Sequence, residues 1–63
     1  MADAEARLRK LRHDLTNPLS AILAETQLML LNEAKYDAET VTNLKQIEAL
    51  ARRMREMLQS LDA

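Results

Sequence analysis

The stretch that decides the fold is residues 44–61, LKQIEALARRMREMLQSL. Its apolar residues follow one another at alternating gaps of three and four, which is a heptad pattern. This pattern consists of Leu44, Ile47, Ala51, Met54, Leu58 and Leu61. A second pattern overlaps it and consists of Ile47, Leu50, Met54, Met57 and Leu61. Two apolar patterns on one helix predict two helical neighbours, because one neighbour covers only one of them.

A second amphipathic segment precedes this stretch and runs from about residue 4 to residue 32. Its apolar residues stay on one helix face at about 100° per residue. They are Leu8, Leu11, Leu15, Leu19, Ile22, Thr26 and Met29, widened by Leu23 and Leu30. A turn is expected over residues 33–37, where Asp37 is a suitable N-cap for a second helix over about 38–61. The pattern predicts an all-α antiparallel hairpin, with residues 1–63 as a single domain.

The hairpin is expected to dimerise. A chain of 63 residues has a marginal core of its own, and it has no cysteine for a disulfide. Two hairpins packed as a homodimeric four-helix bundle cover both apolar patterns of the second helix. The alternative, a lone hairpin or a solvated coil, leaves the wide apolar face exposed.

The composition excludes several classes of function. The sequence has no glycine, so it has no loop of the kind that holds a nucleotide phosphate. One aromatic residue, Tyr36, and a net charge of −1 argue against nucleic-acid binding. No apolar run approaches the roughly 20 residues of a membrane span, and no signal-peptide pattern is present. The sequence has one histidine, so we expect no metal site. Without a membrane span or a signal peptide, we expect a cytoplasmic chain or the cytoplasmic portion of a larger sensor.

Pro18 is the anomaly in the first segment. Inside a helix, proline removes one backbone hydrogen bond and clashes with the carbonyl of Asp14, at a cost of about 3 kcal/mol. One interpretation is a helix that starts here, with Asn17 as N-cap and Pro18 at the first position. The apolar stripe stays in phase across the proline, from Leu15 to Leu19, and this favours one continuous helix with a kink.

The face around His13 is unusual. His13 lies roughly 160° from the centre of the apolar stripe, so we expect it to be exposed. Arg9 and Lys10 precede it and Thr16 and Asn17 follow it at gaps of three and four, which places all of them on its helix face. An exposed neutral imidazole is a good nucleophile near neutral pH. An ordinary surface histidine is the plain alternative.

The neighbours of His13 also have plain alternatives. The basic run consists of Arg7, Arg9, Lys10 and Arg12. Such a run attracts phosphate, but it is more often solvated and paired with nearby carboxylates, here Asp3 and Glu5. Asp14 is a candidate to accept the second ring proton of His13, although adjacent helix positions do not normally face each other. Its alternative is a solvated carboxylate.

The run His13-Asp14-Leu15-Thr16-Asn17-Pro18-Leu19, continued by Ser20, Ala21 and Ile22, resembles the H-box of sensor histidine kinases. The resemblance implies that His13 is the phosphoacceptor and that Asp14 is the general base in autophosphorylation. It also implies that Asn17 positions water for dephosphorylation of the partner and that Pro18 is the family's helix kink. Asp14 and Asn17 stand where Glu and Thr are commoner in the family.

The same resemblance implies the partners. A response-regulator receiver domain docks just below the histidine, on a surface that would include Ser20, Ala21, Ala24 and Leu28. The second helix would contribute its C-terminal half, with about Leu58 opposite His13. ATP and Mg²⁺ belong to the family's separate ATP-binding domain, whose Asn-rich and Gly-rich boxes are absent from this sequence, so we expect no activity on ATP by the chain alone.

Other hypotheses remain at this point. The chain is either an excised module of a longer kinase or a stand-alone phosphotransfer protein. A purely structural dimerisation hairpin shares the same apolar stripes, but it leaves the order of residues 13–19 and the costly proline unexplained. A metal-dependent phosphohydrolase built on His13 and Asp14 needs several more ligands.

Overall fold

The computed structural model describes residues 2–61, which form two α-helices packed against each other as a hairpin. Helix α1 spans Ala2–Leu30 and helix α2 spans Ala38–Ser60. A single turn of 3-10 helix, Glu33–Lys35, lies between them. The predicted all-α hairpin is therefore confirmed. The hairpin is a rod of 51 × 15 × 13 Å and is only two helices thick.

The connection between the helices, residues 31–37, is two residues longer than the sequence suggested. Helix α1 ends at Leu30, before the expected Asn32, because the N–H of Asn32 bonds to the carbonyl three residues back, that of Met29. Helix α2 begins after Asp37, as predicted. The Asp37 carboxylate accepts a hydrogen bond of 2.8 Å from the backbone N–H of Thr40, which supplies a partner for one of the free donors of the first turn.

Helix α1 is continuous through Pro18, so the interpretation of Pro18 as a helix start is wrong. The proline has no N–H, and the carbonyl of Asp14 therefore lacks its usual helical donor. In the same turn, the Thr16 hydroxyl donates a hydrogen bond of 2.7 Å to the carbonyl of Arg12. The carbonyl of Asp14, which lacks its helical donor, and the carbonyl of Arg12, which accepts the Thr16 hydroxyl, therefore flank His13 in the sequence.

The core of the hairpin is small. Its buried apolar residues are Leu19, Leu23, Leu44 and Ala51, with Leu58 partly buried beside them. Thr26 is the buried polar residue, and its hydroxyl donates a hydrogen bond of 2.6 Å to the carbonyl of Ile22. Within residues 2–61, no large side chain is fully buried. A rod two helices thick encloses few side chains, so most of its large apolar side chains remain exposed.

The predicted apolar stripe of α1 is only partly the hairpin core. Leu19 and Thr26 are buried, but the other members are exposed: Leu8, Leu11, Leu15, Ile22 and Met29. The face that contacts α2 is rotated towards Leu23, which lies about 100° round the helix from Ile22. Helix α1 therefore has two adjacent apolar faces, of which α2 covers one.

Helix α2 also leaves one of its two apolar patterns exposed. Leu44 and Ala51 are buried against α1, whereas the exposed residues are Ile47, Leu50, Met54, Met57 and Leu61. The uncovered faces of the two helices meet in an apolar groove of about 250 Å³. The groove is lined by Leu15, Pro18, Leu19, Ile22, Met54, Met57 and Leu58. We call this surface the apolar groove.

Candidate functional site

His13 lies in the N-terminal half of α1, and its side chain is 76% exposed. The exposure expected from its helix position is confirmed. Because helical hydrogen bonds fix the backbone on both sides, the imidazole is presented from a rigid element rather than from a loop. An exposed ring on a rigid helix is accessible to a second protein domain.

Asp14 lies against the ring of His13. Its Oδ1 is 3.9 Å from the His13 Nδ1, and its side chain is 58% exposed. The distance is too long for a hydrogen bond but within reach of an electrostatic contact. The imidazole therefore presents Nδ1 to the carboxylate, which leaves Nε2 on the far side of the ring. Adjacent helix positions do meet here, through side chains that extend towards each other.

An open cleft of about 320 Å³ lies beside His13 on its N-terminal side. It is lined by Ala6, Arg9, Lys10 and His13, and we call it the His13 cleft. Ala6 is two helical turns before His13, and its small side chain leaves room between the two cations. The cleft was not foreseen from the sequence, which showed the two cations on the histidine's face but not the space between them.

The expected pairing of the basic run with Asp3 and Glu5 is wrong for three of its four members. Within residues 2–61, the side chains of Arg7, Arg9 and Lys10 form no ion pair. Two ion pairs lie farther along the chain. Lys45 contacts Glu33 at 3.6 Å, and Arg52 contacts Glu48 at 3.3 Å. The cations that border the His13 cleft are therefore available to an anion.

The residues that follow His13 divide into two groups. Asn17 and Ser20 are exposed, as their helix positions predict. Thr16 is half-buried, and its hydroxyl donates a hydrogen bond to the carbonyl of Arg12. Its side chain is therefore not available to a ligand beside His13. Asn17 thus provides the first exposed amide one turn after His13.

The residues expected to contact a receiver domain are all exposed on α1. They are Ser20, Ala21, Ala24 and Leu28. Ser20 and Ala24 lie about 160° round the helix from Ile22, and therefore on the side away from the apolar groove. Two surfaces of α1 can thus be occupied at the same time.

The position opposite His13 agrees with the expected one, about Leu58. Leu58 lines the apolar groove beside Leu15, whereas Leu61 lines a second cleft beside Leu8 at the open end of the hairpin. His13 therefore lies level with the last turn of α2, between these two contacts.

In the part of the chain that the structure describes, no three His, Asp or Glu side chains converge on a point where a metal ion would fit. In the same residues, neither helix contains an apolar stretch long enough to cross a bilayer.

Comparison with known proteins assigns the family. The model of the His Kinase A (phospho-acceptor) domain family matches residues 5–63, a range that contains His13 and nearly all of both helices. Neither the curated proteins nor the solved structures contain a significant match to the sequence. The family match, the helical hairpin and the exposed histidine agree, and the chain belongs to the His Kinase A phospho-acceptor domains, the phosphoacceptor and dimerisation modules of histidine kinases.

Proposed function

We propose that His13 accepts a phosphoryl group from ATP held by a separate ATP-binding domain and passes it to an aspartate of a response regulator. The observation that carries the proposal is the contact of Nδ1 with Asp14, on an imidazole that is 76% exposed. This contact leaves Nε2 as the nitrogen that an incoming phosphate meets. The match to the phospho-acceptor family supports the same role for His13.

This geometry supports the following first transfer. The lone pair of Nε2 attacks the γ-phosphorus, the bond from that phosphorus to the β,γ-bridging oxygen breaks, and ADP leaves. The Nδ1 proton passes to the Asp14 carboxylate as the phosphorus–nitrogen bond forms, so the ring does not keep a positive charge. Positioning and charge stabilisation contribute most of the rate in phosphoryl transfer, and the proton acceptor adds to them.

The second transfer reverses the roles. A carboxylate oxygen of the receiver aspartate attacks the phosphorus, the phosphorus–nitrogen bond breaks, and Nδ1 takes its proton back from Asp14. The exposed amide of Asn17 lies one helical turn away on the same face. We assign to Asn17 the orientation of a water molecule that later hydrolyses the aspartyl phosphate of the receiver.

The same proposal includes a homodimer. In each hairpin, both helices line an apolar groove that is open to solvent. Ile22 of α1 is 49% exposed there, and Met54 of α2 is 55% exposed. Burial of apolar surface contributes about 25 cal/mol per Å², so pairing the grooves of two chains gives a core that one chain lacks. A four-helix bundle results, with His13 outside the dimer interface.

The receiver domain then binds the opposite side of α1. Ser20, Ala24 and Leu28 form an exposed strip of small and apolar side chains below His13. Small side chains allow another helix to approach closely, and Leu28 offers apolar surface. This strip is the contact that we propose for the response regulator.

The experiment combines three proteins. The chain is incubated with the ATP-binding domain of a cognate kinase and labelled ATP, and phosphohistidine is recognised as label that is lost in acid and kept in base. A receiver domain is then added, and we expect the label to leave the chain and appear on the receiver. Label that remains in His13→Ala would rule out the assignment.

A further inference from the structure

We propose that Arg9 and Lys10 form a binding site for the phosphoryl group that His13 carries. The ligand is a phosphate dianion attached to Nε2, and the two cations hold its oxygens in the His13 cleft. This inference rests on the proposed function, since it concerns the phosphorylated form of the same histidine. It adds two residues, on the N-terminal side of His13, to those that the H-box resemblance implies.

The geometry provides the first argument. Arg9 and Lys10 lie four and three residues before His13, and their side chains line the same cleft as the imidazole. With about 320 Å³ of open space, the cleft has room for a phosphoryl group between the ring and the cations. Residues at these spacings share one helix face, so no change of backbone is needed to close the contact.

Charge provides the second argument. A phosphoryl group carries a charge of about −1.5 to −2 near neutral pH. On His13 this charge is attached to Nε2, on the side of the ring away from Asp14, whose Oδ1 is 3.9 Å from Nδ1. A dianion is stabilised by nearby positive charge, which the cations of the His13 cleft can supply. Neither Arg9 nor Lys10 forms an ion pair within residues 2–61, so both are free to supply it.

The distribution of cations along α1 provides the third argument. From residue 14 to residue 34 the sequence contains no lysine and no arginine. The C-terminal side of His13 is therefore formed by neutral polar side chains such as Asn17. On α2, Arg52 is already paired with Glu48. Among the residues of α1, Arg9 and Lys10 are the cations that share a cleft with the imidazole.

The proposed contact is non-covalent. The guanidinium of Arg9 and the ammonium of Lys10 donate hydrogen bonds to phosphoryl oxygens, and neither group gains or loses a proton. Glu5 competes for Arg9, because it lies one turn before it and lines the neighbouring cleft at the open end of the hairpin. Phosphorylation of His13 shifts this competition, since a dianion attracts Arg9 more strongly than one carboxylate does.

The test uses the whole chain without any kinase. Phosphoramidate transfers its phosphoryl group directly to an imidazole, with loss of ammonia, and His13 is the one histidine in the sequence. The ³¹P NMR shift of the attached group is then followed as a function of pH. It reports the protonation of the phosphorylated imidazole, because the phosphoryl group is already ionised near neutral pH. Nearby cations disfavour a further positive charge on the ring, so in the double variant Arg9→Gln/Lys10→Gln we expect the titration midpoint to rise by about half a pH unit.

Arg7→Gln is the matched control, because it removes one cation from the same helix at a residue that does not line the His13 cleft. We expect its titration midpoint to stay near that of the wild type. The difference between the double variant and the wild type should also shrink as the ionic strength rises from about 0.01 M to about 1 M. Circular dichroism establishes that each variant keeps its helix content.

A midpoint in the double variant equal to that in Arg7→Gln would overturn the proposed site. This outcome is distinct from a failure of the proposed function. Phosphoramidate loads His13 whether or not a kinase domain does so, and the midpoint reports on the cations alone. If ATP-dependent labelling fails while the midpoint still shifts, the cleft binds phosphate but the chain is not a kinase substrate.

Discussion

The Nδ1 atom of His13 lies 3.9 Å from the Oδ1 atom of Asp14, although the two residues are adjacent on helix α1. Both side chains are exposed, and the contact bridges the 100° that separates consecutive helix positions. It gives the two ring nitrogens different surroundings. One nitrogen faces a proton acceptor and the other faces away from it, which is the arrangement that a histidine nucleophile needs.

Asp14→Asn tests this relationship directly. The amide keeps the size of the side chain but is a poor proton acceptor, so we expect the rate of ATP-dependent labelling of His13 to fall about a hundredfold. The measurement is the initial rate with a saturating ATP-binding domain. Asp3→Asn, an equal change of charge at an exposed position near the start of α1, should label at the wild-type rate. A wild-type rate in Asp14→Asn would contradict the role of Asp14 as a base.

The apolar groove predicts a dimer that one substitution can break. Ile22→Glu places a charge in the proposed interface, where an unpaired charge costs several kcal/mol, so we expect a chain of monomeric mass with reduced helix content. Light scattering at matched concentrations measures the mass. Leu31→Glu is the control, because Leu31 is 80% exposed and does not line the groove. A monomeric wild type, or a dimeric Ile22→Glu, would rule out this interface.

The N-cap of α2 predicts a pH dependence of stability. Hydrogen bonds from Thr40, through its side chain and its backbone N–H, hold the pKa of the Asp37 carboxyl below its ordinary value. A lowered pKa means that the stabilisation is fully present above the unfolded-state value of about 3.9 and is lost as the pH falls through the folded-state value. Below about pH 4, thermal unfolding of the wild type should therefore approach that of Asp37→Ala.

Asp37→Asn separates the contribution of the carboxylate charge to stability from the contribution of the helix cap. Asparagine caps a helix about as well as aspartate does, but its amide does not titrate in this range. The melting temperature of Asp37→Asn should therefore depend less on pH between about pH 5 and pH 2 than that of the wild type. Equal pH dependence in the two proteins would show that Asp37 contributes nothing through its charge.

Thr26 is a buried threonine whose hydroxyl is bonded within its own helix. Thr26→Val replaces the hydroxyl with a methyl group of similar size, and the carbonyl of Ile22 keeps its backbone partner, so we expect the stability to stay equal or rise by about 1 kcal/mol. Thr26→Ser removes a buried methyl group and should lower the stability by about 1 kcal/mol. Urea unfolding at one protein concentration measures both, since the stability of a dimer depends on concentration. The opposite order would show that the hydroxyl has a partner in the dimer.

The sequence predicted the hairpin, the Asp37 cap and the continuous helix through Pro18, because each depends on local spacing or on local hydrogen bonding. It did not predict which apolar face of α1 packs against α2. The periodicity of one helix defines its apolar positions, but the rotation of that helix is set by the neighbour against which it packs. Leu23 is therefore buried, whereas Ile22, in the predicted stripe, is exposed.

The site divides in the same way. The exposure of His13 follows from its position relative to the apolar stripe. The resemblance to the H-box rests on the order of His13, Asp14 and Pro18 along the sequence. The ion pairs expected for Arg9 and Lys10 did not form, because pairing depends on side-chain rotamers that spacing does not determine. The cleft that these cations share with His13 is visible only in the structure.

The most direct test of the account is to locate the phosphoryl group on the chain. After incubation with ATP and a cognate ATP-binding domain, the chain is digested near neutral pH, and its peptides are fragmented in a mass spectrometer. We expect one phosphoryl group, on His13, and an unmodified chain in His13→Gln. A phosphoryl group on another residue, or equal modification of His13→Gln, would contradict it.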